Sequence, residues 1–510
     1  MSDQREAVRS NAKYLRNVRP IDPEEICEYV EGNPHPAVVR QHLRELAPEP
    51  GLELIEREDG TFVPVEDDPV SPNRGPVEAF PADYSRALED LLVERYGANW
   101  HADASGDLLR STVRRFKERY LEGRRVEYDD DVAAGYAIYH LPGYYAAVQY
   151  ALDDLAERGL LDRSLRVLDV GAGVGGPALG LADYLPDDAL LEYHAIEPSA
   201  AADVLEDLLP ETGRNVHTTV HRTTAEAFDP ATLGADGDGE ERFDPTAPDD
   251  GFDLVLACNV LSELEDPAAV ARKYLRALAP DGTMLAMAPA DKNTSIQLRD
   301  VERRLEDQQV RPDADEDGGT GTVTVYGPAV RLWPGERPAD RGWTFDTRPD
   351  LEVPAFQRKL EDAASEDDPD HEPGEFVNVD VQFSYSLLRL DGRRRIDVEL
   401  DTGDWAKMAE MDRHVPNRID VVGAKLSRSL SEDGNGRGRS GPNPLFKISD
   451  GSEDVDHYAV VTKETALNRP LLEADYGELC SFEQVLALWN DDEGAYNLVV
   501  DEETIVDRIG

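Results

Sequence analysis

The stretch that most constrains this chain is Leu165-Arg-Val-Leu-Asp-Val-Gly-Ala-Gly-Val-Gly-Gly176. An apolar run with β-branched residues reads as a buried strand, and it breaks directly into glycines. Pro177–Tyr184 then reads as a helix. A strand, a Gly-rich turn and a helix N-terminus make a nucleotide-type site, because glycines let a ligand approach the backbone while free N–H groups face it. Strands alternating with helices around this point predict an α/β fold with a mostly parallel, doubly wound sheet.

Gly171, Gly173 and Gly176 satisfy G-x-G-x-x-G, so a dinucleotide site competes for the motif. Asp169 argues against it. An acid two residues before the first glycine, in Leu-Asp-Val-Gly-Ala-Gly, resembles motif I of class I S-adenosylmethionine (SAM) methyltransferases. The resemblance implies a Rossmann-like domain in which Asp169 organises the turn and the cofactor's charged amino-acid end. Glu197, closing Tyr193-His-Ala-Ile-Glu, stands where the second strand's acid accepts the ribose hydroxyls in both families. The implied cofactor contacts are Asp169, Gly171, Ala172, Gly173, Gly175 and Glu197, with Ala225 or Glu226 beside the adenine. Asn259, in Phe252-Asp-Leu-Val-Leu-Ala-Cys-Asn-Val-Leu-Ser-Glu-Leu264, resembles motif IV and is expected to face the cofactor's methyl group or the substrate. No catalytic residue is assigned. Cys258 lies inside an apolar strand and reads as a core thiol rather than a nucleophile.

The formal charge of −53, with lysine scarce and acids spread along the chain, resembles proteins of a salt-rich cytoplasm. Acidity argues against nucleic-acid partners at low ionic strength, but at molar salt the Debye length is roughly 3 Å and RNA stays open as a substrate. Only Cys27, Cys258 and Cys480 occur, without a C-x-x-C pair, so neither a disulfide framework nor a zinc site is expected. No run approaches the roughly 20 apolar residues of a membrane helix and nothing resembles a signal peptide, so the expected location is cytoplasmic.

Residues 1–66 predict three helices and a hairpin turning at Asp59-Gly60, which resembles a winged helix. Arg40, His42 and Arg44 on the third helix make a modest surface, and docking on protein or RNA is favoured over DNA binding. Residues 67–128 combine a linker with helices over Ala82–Tyr96 and Asp107–Glu122. The second helix opens the densest basic cluster of the chain, with Arg110, Arg114, Arg115 and, just beyond, Arg125 as RNA-contact candidates. The competing reading is a solvated face paired with local acids. Residues 129–400 form the expected methyltransferase domain, ending in a strand through Phe383-Ser-Tyr385 that pairs antiparallel at the sheet edge. Five short apolar runs in 401–510 are compatible with a small OB-like β barrel, and its loop Ser431–Ser440 carries two arginines among glycines.

Tyr136-Ala-Ile-Tyr-His-Leu-Pro-Gly-Tyr-Tyr-Ala-Ala-Val148 reads as a helix, a proline break and a second helix covering the cofactor end of the sheet. Placed just before the Leu-Asp-Val-Gly-Ala-Gly strand, it resembles the methyltransferase-like family associated with the small ribosomal subunit, which has bacterial and mitochondrial members. Many members hold a metal or iron–sulfur cluster with cysteines that are absent from Ala288-Pro-Ala-Asp-Lys-Asn293 and Asp340-Arg-Gly-Trp-Thr-Phe345, so no cluster is expected. Three functions follow: a methyltransferase acting on ribosomal RNA or the small subunit, a SAM-binding assembly factor without chemistry, or a small-molecule methyltransferase.

Overall fold

The computed structural model describes residues 2–121, 124, 126–234, 251–311, 320–365, 371–431 and 443–509. The chain forms two compact units, residues 1–256 with 349–381 and residues 257–348 with 382–510.

The first unit begins with helices α1 (Ser2–Leu15), α2 (Pro23–Ile26) and α3 (Pro36–Leu46), then a ribbon of β1 (Leu54–Glu56) and β2 (Phe62–Pro64). The ribbon turns at the expected glycine, with Gly60 at φ +81°. Val8, Ala12, Val39, Leu43, Leu46, Leu54 and Phe62 share one core, and Leu190 from the neighbouring sheet joins it. Asn215 fastens the ribbon to that sheet, accepting from Glu56 N–H at 2.7 Å and donating to Glu56 C=O at 3.3 Å. Arg44 pairs with Glu56 through Nε and Nη2, and Arg40 lies 3.7 Å from the same carboxylate. The basic side chains of α3 therefore serve the module's own packing.

Helices α4 (Ala82–Tyr96), α5 (Asp103–Leu121) and α6 (Asp130–Ala156) precede the sheet. The proline break expected at Pro142 does not occur, and α6 runs through it for 27 residues. Proline removes an N–H and leaves a carbonyl one turn earlier without its helical donor. Here Gln357 Nε2, from helix Ala355–Asp362, donates to Ile138 C=O at 2.8 Å, and Asn378 Nδ2 donates to Tyr139 C=O at 3.0 Å. The freed Ile138 carbonyl is satisfied from outside, so the helix continues.

The parallel strands are β3 (Ser164–Val170), β4 (Leu190–Ile196), β5 (Val216–His221) and β6 (Phe252–Cys258), in the order β5-β4-β3-β6. Helices α7 (Gly176–Tyr184) and α8 (Ala201–Leu208) make the crossovers. The crossovers leave the strands' C-terminal ends beside the glycine turn, the position at which doubly wound sheets bind ligands.

In the second unit, β10 (Val381–Arg389) pairs antiparallel with β7 (Leu278–Pro289) and β8 (Thr324–Gly327), and β9 (Asp346–Arg348) also pairs with β10. β10 pairs antiparallel as expected, but it lies between β7 and β8 rather than at an edge. β8 stops at Gly327, where Pro328 offers no N–H to continue the ladder. Five further strands, β11 (Arg418–Lys425), β12 (Leu445–Ser449), β13 (His457–Val461), β14 (Leu479–Asn490) and β15 (Ala495–Val500), close into a barrel in the order β11-β12-β13-β15-β14-β11. β13 and β15 are parallel, and β16 (Ile505–Ile509) adds to β14. Val421, Phe446, Ile448, Phe482, Ala487 and Leu498 fill the barrel. The arginines of the 431–440 loop and residues 235–250 lie outside the described residues.

Candidate functional site

The glycine turn follows from local backbone needs. Gly171, Gly173 and Gly175 have φ of +72°, +56° and +94°, a region costly for residues with a Cβ. At Gly173 a Cβ would meet nothing nearer than the Gly171 carbonyl at 4.0 Å, so this part of the turn faces open space. Gly176 is needed for a different reason: a Cβ there would lie 2.8 Å from Tyr144 Cβ. Pro177 occupies the first turn of α7, where a missing N–H leaves no helical bond unmade.

Glu197 clamps the turn. One carboxylate oxygen accepts Gly173 N–H at 2.9 Å, and the other accepts Ser199 N–H at 2.9 Å and Ser199 Oγ at 2.6 Å. Three of the roughly four acceptor positions of a carboxylate are thus in use, leaving one for a ligand hydroxyl. Gly171 and Ala172 N–H both donate to Ile196 C=O, which ties the turn to the end of β4.

Asp169 is fully buried on β3. Tyr193 donates its hydroxyl to Oδ2, and Oδ1 has no hydrogen-bond partner. Burial, reinforced by the nearby Glu197 carboxylate and opposed by the Tyr193 bond, pushes the Asp169 pKa up to about 7. A buried acid with a spare oxygen suits a cationic or hydrogen-bonding ligand group, because unsatisfied polar atoms are costly in the interior.

Ala225 is buried on the loop after β5, whereas Glu226 is exposed. Asn259, in the second unit, sits just after β6 at φ +60°, an unusual conformation for a residue with a side chain. Its N–H is held by Met287 C=O at 2.9 Å.

Sequence reasoning missed Tyr193, Ser199 and Tyr144. The first could have been found from strand periodicity, since Tyr193 stands diagonally across from Asp169 on the paired strand. Ser199, two residues after Glu197, is the usual spacing for a hydroxyl and N–H folding back on a carboxylate.

The RNA-contact reading of α5 requires correction. Arg110 is buried and donates to the carbonyls of His101 and Leu360 and to Asp107. Arg114 makes a two-pronged pair with Glu375 at 2.7 and 2.6 Å and covers the Phe376 ring. Arg110 is drawn inward by the His101 and Leu360 carbonyls, and Arg114 by the carboxylate of Glu375 and the ring of Phe376. Arg115 is exposed, and Arg125 lies outside the described residues.

Residues 168–284 match the model of a methyltransferase domain. The chain therefore carries a methyltransferase domain of the SAM-dependent kind. Residues 5–58 and 409–509 match the N-terminal and C-terminal domains of a domain of unknown function, DUF8157. No curated protein matches the chain. Among solved structures it is similar to a sugar N-methyltransferase from Streptoalloteichus, 21% identical over 28% of this chain and 47% of that one, with a TM-score of 0.20. A SAM-dependent methyltransferase from Clostridium acetobutylicum is 13% identical over 32% of this chain and 55% of that one, with a TM-score of 0.21. The chain thus spans about half the length of each of these two proteins. The fold assignment rests on strand order and the family model, not on likenesses this weak.

The residues present fit SAM. A turn open at Gly173, a carboxylate clamped at its lip and a buried acid with a spare oxygen supply what a nucleoside bearing a cationic amino-acid end requires. Bound SAM supplies an electrophilic methyl group on a sulfonium, and the protein's contribution is alignment with the acceptor. Among the described residues no group of three or more His, Cys, Asp or Glu is placed to hold a metal ion, and the three cysteines are buried without a disulfide. No helix among those residues is long and apolar enough to cross a membrane.

Proposed function

We propose that this methyltransferase modifies RNA of the small ribosomal subunit, with SAM held by Asp169, Gly171, Ala172, Gly173, Gly175, Glu197 and the Ala225 loop. The observation that carries the reading is the position of the Tyr136–Val148 stretch. The segment that resembles the ribosome-associated family forms the middle of α6, and its Tyr144 packs against Gly176 at the cofactor turn. The five-stranded barrel of 401–510 adds support, since OB-like barrels bind oligonucleotides. Arg115 is the remaining described candidate of the basic cluster for a phosphate contact.

The test is transfer of labelled methyl from SAM to small-subunit particles of a deletion strain, in high salt. Label in the RNA supports the proposal, and label in a protein of the particle redirects it. Co-purification with the particle without methyl transfer would favour an assembly factor without chemistry. Neither binding nor transfer would leave a small-molecule acceptor.

A further inference from the structure

One turn before Tyr144 on α6 stands His140, enclosed by rings. Tyr144 stacks on it at 5.3 Å and 4° between planes, with Tyr136 at 4.6 Å, Tyr139 at 4.9 Å and Phe116 at 5.7 Å. The cage follows from helix spacing. Residues 136, 140 and 144 recur at i, i+4 and i+8 and share one face. This face borders the cofactor turn twice, through Tyr144 beside Gly176 and through Tyr128, whose ring lies 5.4 Å from Tyr136 and whose carbonyl accepts from Ala200 N–H.

The environment fixes the state of the imidazole. Asn378 Nδ2, oriented by its 3.0 Å bond to Tyr139 C=O, also points at His140 Nδ1 at 3.4 Å. Gln357 holds Asn378 by both backbone groups, accepting its N–H at 3.0 Å and donating to its C=O at 3.3 Å. An amide N–H₂ group can only donate, so Nδ1 is the accepting nitrogen and the proton sits on Nε2. Loss of hydration among the rings, with Lys117 nearby, pushes the His140 pKa down to about 3, so the ring stays neutral. The side chain is still partly exposed, and Nε2 makes no hydrogen bond among the described residues. The result is an aimed N–H donor, held neutral beside the cofactor turn and lacking an acceptor.

We propose that His140 is a substrate-positioning residue whose Nε2–H donates to the acceptor edge, a carbonyl oxygen or bare ring nitrogen, of an RNA base entering beside SAM. This rests on the RNA reading above and specifies what the site grips. A neutral donor surrounded by aromatic rings matches a base, which offers in-plane acceptors and a flat apolar body. It does not match a lysine or arginine side chain, which brings donors and positive charge toward Lys117.

The full chain, labelled with ¹⁵N-histidine and saturated with S-adenosylhomocysteine to block the cofactor pocket, is titrated with cytidine, uridine and guanosine. The expected result is a His140 signal of the neutral, Nε2-protonated form that shifts with at least one nucleoside. His140→Phe, which keeps the ring but removes the donor, is expected to weaken that nucleoside at least tenfold with SAM affinity held within threefold. His140→Gln, which restores an N–H, is expected to recover most of the loss. No shift with any nucleoside, equal binding by His140→Phe, or loss of SAM binding in step with nucleoside binding would each overturn the proposal. Nucleoside binding at His140 alongside unmethylated ribosomal particles would uphold this inference and refute the ribosomal target.

Discussion

Asp169 carries an electrostatic cost that its ligand is expected to relieve. Its pKa in the folded chain, about 7, lies above the ordinary value of 3.8. The folded chain therefore holds a proton that the unfolded chain releases as pH rises from about 4 to about 7, and the stability contributed at this position falls across that window. A cationic ligand group beside Asp169 favours the ionised form, so binding SAM expels the proton. Calorimetry at pH 6 in buffers of different ionisation enthalpy is expected to show close to one proton released. Affinity should fall by up to about tenfold per pH unit below pH 7. Asp169→Asn should abolish both effects, and an unchanged pH profile in that variant would assign the linkage elsewhere.

At the scale of elements, α6 depends on a strap from a distant part of the sequence. Gln357 is fully buried, and its amide replaces the helical donor that Pro142 lacks. Gln357→Leu keeps the volume but leaves the Ile138 carbonyl and the Asn378 backbone unmatched. It is expected to lower stability by about 1–3 kcal/mol, read from denaturant unfolding followed by tryptophan fluorescence. A change below about 0.5 kcal/mol would mean that water replaces the amide. The same strap explains what sequence left hidden. A proline inside a helical pattern normally marks a boundary, and nothing local announces a glutamine more than 200 residues away. In the helix Lys292–Leu305, Arg299, Glu302 and Arg303 are buried as an ion-paired row, a tertiary pairing that periodicity does not encode. By contrast, the strand, glycine turn and acid at 165–197 were legible because each is a short-range requirement of backbone geometry. The basic helix was legible as a helix but not in its role, since the partners of Arg110 and Arg114 come from 360–375.

For the molecule as a whole, a formal charge of −53 makes folding a salt-dependent balance. Self-repulsion weakens the compact state, and counterions screen it over about 10 Å at 0.1 M salt and about 3 Å at 1 M. Raising potassium chloride from 0.1 to 2 M is expected to raise Tm by several degrees, with most of the gain below about 1 M, as scanning calorimetry would record. A Tm that falls with salt would show instead that surface ion pairs such as Arg222 with Asp203 and Glu206 dominate over the net charge.

The central claim is that the glycine turn between β3 and α7 receives SAM, and isothermal titration of the full chain in high salt tests it most directly. Wild type is expected to bind one equivalent of SAM, and Gly173→Val to bind at least tenfold more weakly. The β-branched residue both strains a backbone at φ +56° and projects into the space that the cofactor needs. Failure of the wild type to bind SAM, or equal affinity in a Gly173→Val variant whose circular dichroism is native, would contradict the assignment.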